Sequence, residues 1–269
     1  MSFLTKIPTN TWEFGEKLFA LLANHSYQIS PELIGSSEPI NDPVSDIEGV
    51  KFYWQRTSKL VLKGNTIEVF EPVYWERVSA LRGKGIVRHA RTTQNGEPIN
   101  GYIQLKYTWS NDVNWLCLFK ELVRLTGTDF AFVDRIVNEA SLKLKNSGSF
   151  NILNGSGFGD LIDPYLDEPT WGIFLGQRRM ADFSAIDVGN KGTVVEEFGS
   201  GTFAHFLTDF NREEYGSAEW SQEASKMRKN LPESVFTPPA PSEMDLAIER
   251  VIRENNRNAK RGFLKKRLV

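Results

Sequence analysis

Alternating apolar and polar positions predict several β-strands. From Ile103 to Trp109, apolar residues at odd positions alternate with polar residues at even positions, which is the period of a half-buried strand. The runs Leu60–Leu62 and Thr66–Phe70 flank Gly64-Asn65, a pair that favours a two-residue hairpin turn. Further strands are predicted for Val50–Arg56, Ile86–Thr92, Trp171–Leu175, Thr193–Phe198 and Thr202–Leu207.

Apolar residues at helical spacing predict four helices. The first covers Trp12–Asn24, where Asn10 followed by Glu13 has capping-box spacing. The second covers Val113–Leu125 after Asp112, and it is apolar on nearly all sides, which is typical of a helix central to a core. The other two cover Ser217–Leu231 and residues 242–260. Phe130–Val137 fits a strand as well as a helix, and the pattern leaves this choice open.

These elements predict an α+β fold, with a mostly antiparallel sheet and helices on one side, because hairpin signals outnumber strand–helix alternation. Residues 28–49 and 146–170 are rich in turn-forming residues and are predicted to be loops. We expect an α+β body over residues 1–236, with a break between two sub-lobes near residues 146–170. A Pro-rich linker and a basic C-terminal helix follow over residues 237–269. This helix is expected to dock through Met244, Ile248, Val251 and Ile252, and the alternative is a frayed helix exposed to solvent.

The charge of the chain is unevenly distributed. The formal net charge is −2, but residues 250–269 hold eight Lys or Arg against one Glu, which is +7, so residues 1–249 carry −2 − 7 = −9. An acidic body repels nucleic acid and attracts basic partners. No leader peptide or long apolar run is recognisable and Cys117 is the only cysteine, so we expect a cytoplasmic protein with no membrane partner and no direct nucleic-acid partner.

Motifs that carry chemistry are weak in this sequence. His25, His89 and His205 lie far apart and are interpreted as surface or core residues, and Cys117 as a buried structural thiol. The Gly-rich run from Gly155 to Asp160 has neither the third glycine of a dinucleotide site nor a P-loop lysine. We therefore expect no catalytic residue, no metal site and no cofactor.

Four carboxylates, Asp160, Asp163, Asp167 and Glu168, are concentrated just before Trp171. Acidic residues beside an aromatic anchor suit a protein-docking surface, so these five residues are the predicted contact for a partner protein. The alternative interpretation is a solvated acidic loop, with Trp171 at the start of a core strand.

The segment from Trp171 to Pro232 resembles the C-terminal half of bacterial polymorphic-toxin immunity proteins, specifically immunity-protein family fifty-two. The resemblance rests on Trp171-Gly172-Ile173-Phe174-Leu175, Gly201-Thr202, Leu207-Thr208, Phe210, an acidic turn and a helix ending Met227-Arg228-Lys229-Asn230-Leu231. The family's Asn-Pro-Glu-His step is absent, and Tyr215-Gly216-Ser217-Ala218-Glu219 stands in that region. The resemblance covers about a quarter of the chain.

This resemblance implies an inhibitor that binds and neutralises a cognate toxin, often a nuclease effector of a type VI secretion system. The sequence leaves open two alternatives: an enzyme with a non-motif active site that uses the acidic loop and His205, or a structural component of phage or secretion origin. The sequence is compatible with either a monomer or a homodimer.

Overall fold

The computed structural model describes residues 1–5, 7–62, 65–92, 98–135, 169–177, 193–206, 209–210, 217–231 and 233–236. Its helices are α1 (Trp12–His25), α2 (Ile47–Gln55), α3 (Trp115–Thr126) and α4 (Ala218–Asn230). Its strands are β1 (Ser2–Thr5), β2 (Leu33–Gly35), β3 (Asp42–Pro43), β4 (Thr57–Leu62), β5 (Asn65–Phe70), β6 (Val73–Arg77), β7 (Gly83–Arg88), β8 (Arg91–Thr92), β9 (Pro98–Ile99), β10 (Gly101–Tyr107), β11 (Phe130–Val133), β12 (Gly172–Gly176), β13 (Thr193–Phe198) and β14 (Gly201–Phe206). Short 3₁₀ helices cover Tyr27–Ile29 and Glu233–Val235.

The main element of the described part of the chain is one large antiparallel sheet. Its ten strands run in the order β13-β14-β12-β11-β1-β10-β7-β6-β2-β3, while β4–β5 and β8–β9 form separate hairpins. All strand pairs in the described part of the chain are antiparallel. The predicted α+β class with a mostly antiparallel sheet is therefore confirmed. Strands from both sides of residues 146–170 belong to this sheet, because β12 pairs with β11.

A row of apolar side chains crosses one face of the sheet. Seven residues that are paired in register on seven adjacent strands are each at most 1% exposed: Val73, Val87, Ile103, Phe3, Ala131, Phe174 and Phe203. Residues directly opposite each other on paired strands lie on the same face. These seven side chains are the contribution of the sheet to the hydrophobic core on this face.

Helices α1, α2 and α3 cover that face. The Phe119 ring of α3 lies 5.3 Å from Phe3 and 5.4 Å from Phe203, measured between ring centroids. Phe19 of α1 contacts Trp75 of β6 at 5.6 Å and Trp54 of α2 at 5.7 Å. Burial of these large rings supplies much of the hydrophobic stabilisation of the core.

Helix α4 packs on the other face. Side chains alternate along a strand, so Phe206 of β14 faces away from Phe203. The Trp220 ring of α4 contacts Phe206 at 6.0 Å, and the Asn230 amide donates to Thr193 of β13 at 3.2 Å. The expectation of helices on one side was wrong for α4, since Trp220 and Met227 give it a buried face that needs an apolar surface to cover it.

The sequence pattern misidentified two segments near the N-terminus. Val50–Arg56 was predicted as a strand, but Ile47–Gln55 is helical because Asp46 accepts a hydrogen bond from Gly49 N–H and begins the helix. Residues 28–49 were predicted as a loop and contain a 3₁₀ helix, β2 and β3. Short strands of two or three residues give almost no local period, which explains this difference.

Candidate functional site

Of the five residues in the predicted contact, the structure describes Trp171 alone. Asp160, Asp163, Asp167 and Glu168 lie outside the described residues. Trp171 immediately precedes β12 and is 3% exposed, so its side chain contributes to the core. The role of these five residues in docking stays a prediction.

Trp171 belongs to an aromatic cluster with Phe203, His205 and Phe210. Its ring is stacked on His205 at 5.0 Å and lies 4.7 Å from the Phe210 ring. The His205 ring nitrogen Nδ1 donates to the backbone oxygen of Phe206 at 2.6 Å. Burial lowers the pKa of His205 below its ordinary value, which favours the neutral ring.

His89 is buried more deeply, at 4% exposed. Its Nδ1 atom and the Thr9 hydroxyl share a hydrogen bond of 3.1 Å, while its Nε2 atom has no hydrogen-bond partner among the described residues. The Trp54 and Phe70 rings lie within 5.8 Å of the imidazole. Burial lowers the pKa of His89 to about 4, so His89 is a neutral core residue at physiological pH.

The third histidine, His25, lies close to two other potential metal ligands, Cys117 and Glu121. Their spacing in the sequence does not predict this cluster. His25 Nε2 lies 2.8 Å from Glu121 Oε2, and Cys117 Sγ lies 3.8 Å from Glu121 Oε1. Cys117 is exposed on α3, so its predicted burial was wrong. Leu118 and Leu122 lie on the buried face of α3, and Cys117 does not belong to that face.

Exposed apolar side chains are concentrated at the β2–β3 end of the sheet. Among the described residues, the exposed large hydrophobic side chains are Tyr27 (74%), Ile47 (49%), Phe52 (60%) and Val78 (51%). Tyr27 lies in the 3₁₀ helix before β2, Ile47 and Phe52 in α2 after β3, and Val78 just after β6, the neighbour of β2. We call these four residues, together with the exposed acids Asp42, Asp46 and Glu48, the edge surface.

Contacts of Glu32, through both its backbone carbonyl and its carboxylate, hold the segments of the edge surface together. Val44 N–H donates to the Glu32 carbonyl at 2.9 Å. The Glu32 carboxylate accepts from Val78 N–H at 2.9 Å and Ser79 N–H at 3.0 Å, and it pairs with Arg77 at 3.1 Å. Glu32 therefore links β2 to the segments on either side of it. This explains the lowered pKa of Glu32, caused mainly by its hydrogen bonds to Ser79.

Phe52 has no core role. The buried positions of α2 are Val50 and Trp54, and a residue two positions from each lies about 200° around the helix. Phe52 thus points away from the core, and its ring contacts Tyr53 at 5.6 Å and lies under the Arg56 guanidinium at 5.6 Å. Single exposed apolar residues are ordinary on protein surfaces, but four from adjacent elements indicate a contact region.

The edge surface is also acidic. Residues 27–56 contain five Asp or Glu and two Lys or Arg. Asp42 accepts a hydrogen bond from the Tyr53 hydroxyl, which raises the pKa of Tyr53, and Asp46 caps α2. Neither carboxylate forms an ion pair with a described residue, so both charges are available to a basic partner.

Comparisons of the chain with family models, with curated proteins and with solved structures give no match. Within the described ranges, none of the helices has the length and hydrophobicity needed to span a membrane. The sequence pattern does not predict the edge surface, because it predicts a strand where α2 lies. The signal that could have found it is Asp46 three residues before Gly49, followed by Val50 and Trp54 at helical spacing.

Proposed function

We propose that this protein is an immunity protein that binds and neutralises a cognate secreted antibacterial toxin, with a nuclease effector of a type VI secretion system as the toxin class. The class of function comes from the resemblance of Trp171–Pro232 to immunity-protein family fifty-two. The observation that carries the contact is the exposure of Phe52 on the outward face of α2, the helix that Asp46 caps. A rigid helix presenting an aromatic anchor is suited to binding a partner.

The apolar side chains give this contact its affinity. Phe52 is 60% exposed and Tyr27 is 74% exposed, and burying such rings in a partner's pocket removes apolar area from water. Aromatic residues are enriched among the residues that dominate binding energy. The Asp46 cap and the buried Trp54 hold α2 in place, so little conformational entropy is lost on binding.

The acidic residues give the contact its partner preference. A nuclease must attract phosphates and carries a basic surface for this purpose. Asp42 and Asp46 complement such a surface, which speeds encounter and fixes the relative orientation of the partners. Glu48 is already paired with Lys51 at 2.9 Å. The association rate should therefore fall as ionic strength rises above about 0.15 M, where the Debye length is about 8 Å.

Cell protection tests the function itself. The chain is co-expressed with the product of the neighbouring gene, and we expect survival with the wild type and death without it. A variant with Asp160, Asp163 and Asp167 replaced by Asn and Glu168 by Gln tests the acidic loop in the same assay. Full protection by that variant removes the loop from the contact. Absence of protection by the folded wild-type chain contradicts the immunity function.

A further inference from the structure

Three side chains with metal-binding atoms converge where α1 ends against α3. His25 is the last residue of α1, and Cys117 and Glu121 lie one turn apart in α3. The His25 imidazole nitrogen, the Cys117 sulfur and a Glu121 carboxylate oxygen all lie within 4.8 Å of one another. Helices α1 and α3 contact each other, and Leu18 and Leu22 of α1 belong to the same buried core as Leu122 of α3.

The geometry of α3 explains the pairing of two of these ligands. Residues four apart in a helix lie on the same face, so Cys117 and Glu121 project together. Asn114 accepts from Cys117 N–H at 3.0 Å and caps the helix, which fixes the first turn that carries the thiol. The third ligand comes from a separate helix, so binding would join α1 to α3.

We propose that His25, Cys117 and Glu121 bind a divalent transition-metal ion of the Zn²⁺ type. Imidazole, thiolate and carboxylate together are ligands that Zn²⁺ accepts, whereas Mg²⁺ and Ca²⁺ prefer oxygen ligands alone. Three protein ligands leave a fourth tetrahedral position for water.

The distances fit this assignment after small side-chain movements. With metal–ligand bonds of about 2.0 to 2.3 Å, the ligand atoms of a tetrahedral site lie about 3.3 to 3.7 Å apart. His25 Nε2 lies 2.8 Å from Glu121 Oε2, and Cys117 Sγ lies 3.8 Å from the other carboxylate oxygen, Oε1. With one oxygen taken for Glu121, the three ligand atoms all lie within 4.8 Å of one another. Glu121 and Cys117 are at the surface, so rotation of their side chains can bring the atoms to these separations without moving a helix.

The basic residues of α3 are occupied elsewhere. Lys120 Nζ lies 2.5 Å from Glu196 of β13, and the Arg124 guanidinium lies 4.5 Å from the centre of the Phe198 ring. Among the described residues, no Lys or Arg forms an ion pair with Glu121. Its negative charge is therefore available to a cation as well as to His25.

Cobalt substitution tests the site in the full chain. Metal-free protein is titrated with Co²⁺, and we expect one ion per chain, tetrahedral visible bands and a thiolate charge-transfer band in the near ultraviolet. Zn²⁺ should displace Co²⁺, and a large excess of Mg²⁺ should not. His25→Asn and Glu121→Gln should each weaken binding by about tenfold or more, which is the size of effect expected even for groups that only support a ligand. Cys117→Ser should abolish the charge-transfer band.

A matched control separates this site from general carboxylate binding. Glu16→Gln removes an exposed carboxylate from α1 outside the cluster, and it should leave cobalt affinity unchanged. The variants are compared only after circular dichroism shows that they are folded, and Cys117→Ala provides a second thiol-free chain. Absence of tetrahedral cobalt bands in the wild type overturns the proposal. It is also overturned if Co²⁺ binding survives both His25→Asn and Glu121→Gln, because the thiol would then be acting alone.

Discussion

At the scale of single residues, His89 shows how burial selects a protonation state. Its imidazole contacts the Trp54 and Phe70 rings and the Thr9 hydroxyl. Protonation would place a charge in an apolar site with Nε2 unpaired. The core therefore tolerates only the neutral ring.

The pH dependence of stability should report this burial. The pKa of His89 falls from its ordinary value of 6.5 to about 4 in the folded chain. The unfolded chain therefore binds this proton first on acidification, so the stabilisation is fully present above pH 6.5 and is lost as the pH falls towards 4. This loss amounts to about 3 kcal/mol, measured by urea unfolding between about pH 7 and about pH 4.

His89→Gln supplies the comparison for that measurement. Gln keeps a hydrogen-bonding side chain for Thr9 and cannot be protonated in this range, so its unfolding free energy should depend less steeply on pH than that of the wild type. The difference in slope isolates His89 from the carboxylates that titrate in both chains. Parallel pH profiles for the two chains would show that His89 binds its proton equally in the folded and unfolded states.

At the scale of elements, two glycines of β7 make room for rings from the neighbouring strands. A Cβ atom on Gly85 would lie 1.9 Å from the Trp75 ring, and one on Gly83 would lie 2.0 Å from the Tyr107 ring. Gly85 is paired in register with Trp75, and Gly83 with Tyr107. The two rings lie across β7, and Trp75 Nε1–H donates to the Tyr107 hydroxyl at 3.2 Å. Burial raises the pKa of Tyr107 to about 12.

Gly85→Ala should destabilise the sheet because the methyl group would overlap with Trp75, which is fully buried. We expect a loss of at least about 2 kcal/mol in the free energy of unfolding, within the range for an overpacked core. Gly35→Ala in β2 is the matched control, since its Cβ atom would meet nothing closer than 3.4 Å. Equal unfolding midpoints for the two variants in urea would contradict the close approach of Trp75 to β7.

Local pattern predicted the elements with a clear period and missed those whose partners are distant in sequence. Strands β5, β10, β12, β13 and β14 were found to within two residues, and α1, α3 and α4 agree equally well, whereas β4 begins three residues before the predicted Leu60. The caps differ by one or two positions: Thr11 caps α1 where Asn10 was expected, and Asn114 caps α3 where Asp112 was expected. Strand β1 was missed because four residues carry little period, although it lies between β10 and β11 in the centre of the sheet.

The candidate sites were less predictable than the fold. The cluster of His25 with Cys117 and Glu121 depends on how α1 packs against α3, which single-sequence spacing does not report. The edge surface depends on α2 being a helix, because only then does Phe52 point away from Val50 and Trp54. The predicted docking of residues 242–260 lies outside the described residues, as do the four acids of the predicted loop.

At the scale of the whole molecule, the buried core and the exposed edge surface occupy different parts of the structure. Aromatic and aliphatic side chains fill the face covered by α1, α2 and α3. The exposed apolar side chains in the described part of the chain instead come from elements around β2, β3 and β6. The proposed contact with a basic partner rests on this asymmetry and on the −9 charge of residues 1–249.

Binding of the purified chain to the product of the neighbouring gene tests this account most directly. The compared variants are Phe52→Ala and Gln55→Ala, which truncate two exposed side chains of the same helix. If the edge surface binds the toxin, Phe52→Ala should raise Kd by about tenfold or more, as expected for an aromatic anchor worth at least about 1.4 kcal/mol. Gln55→Ala should change Kd by less than about threefold. Equal affinity of the wild type and both variants would contradict the account, because the toxin would then contact another face of the molecule.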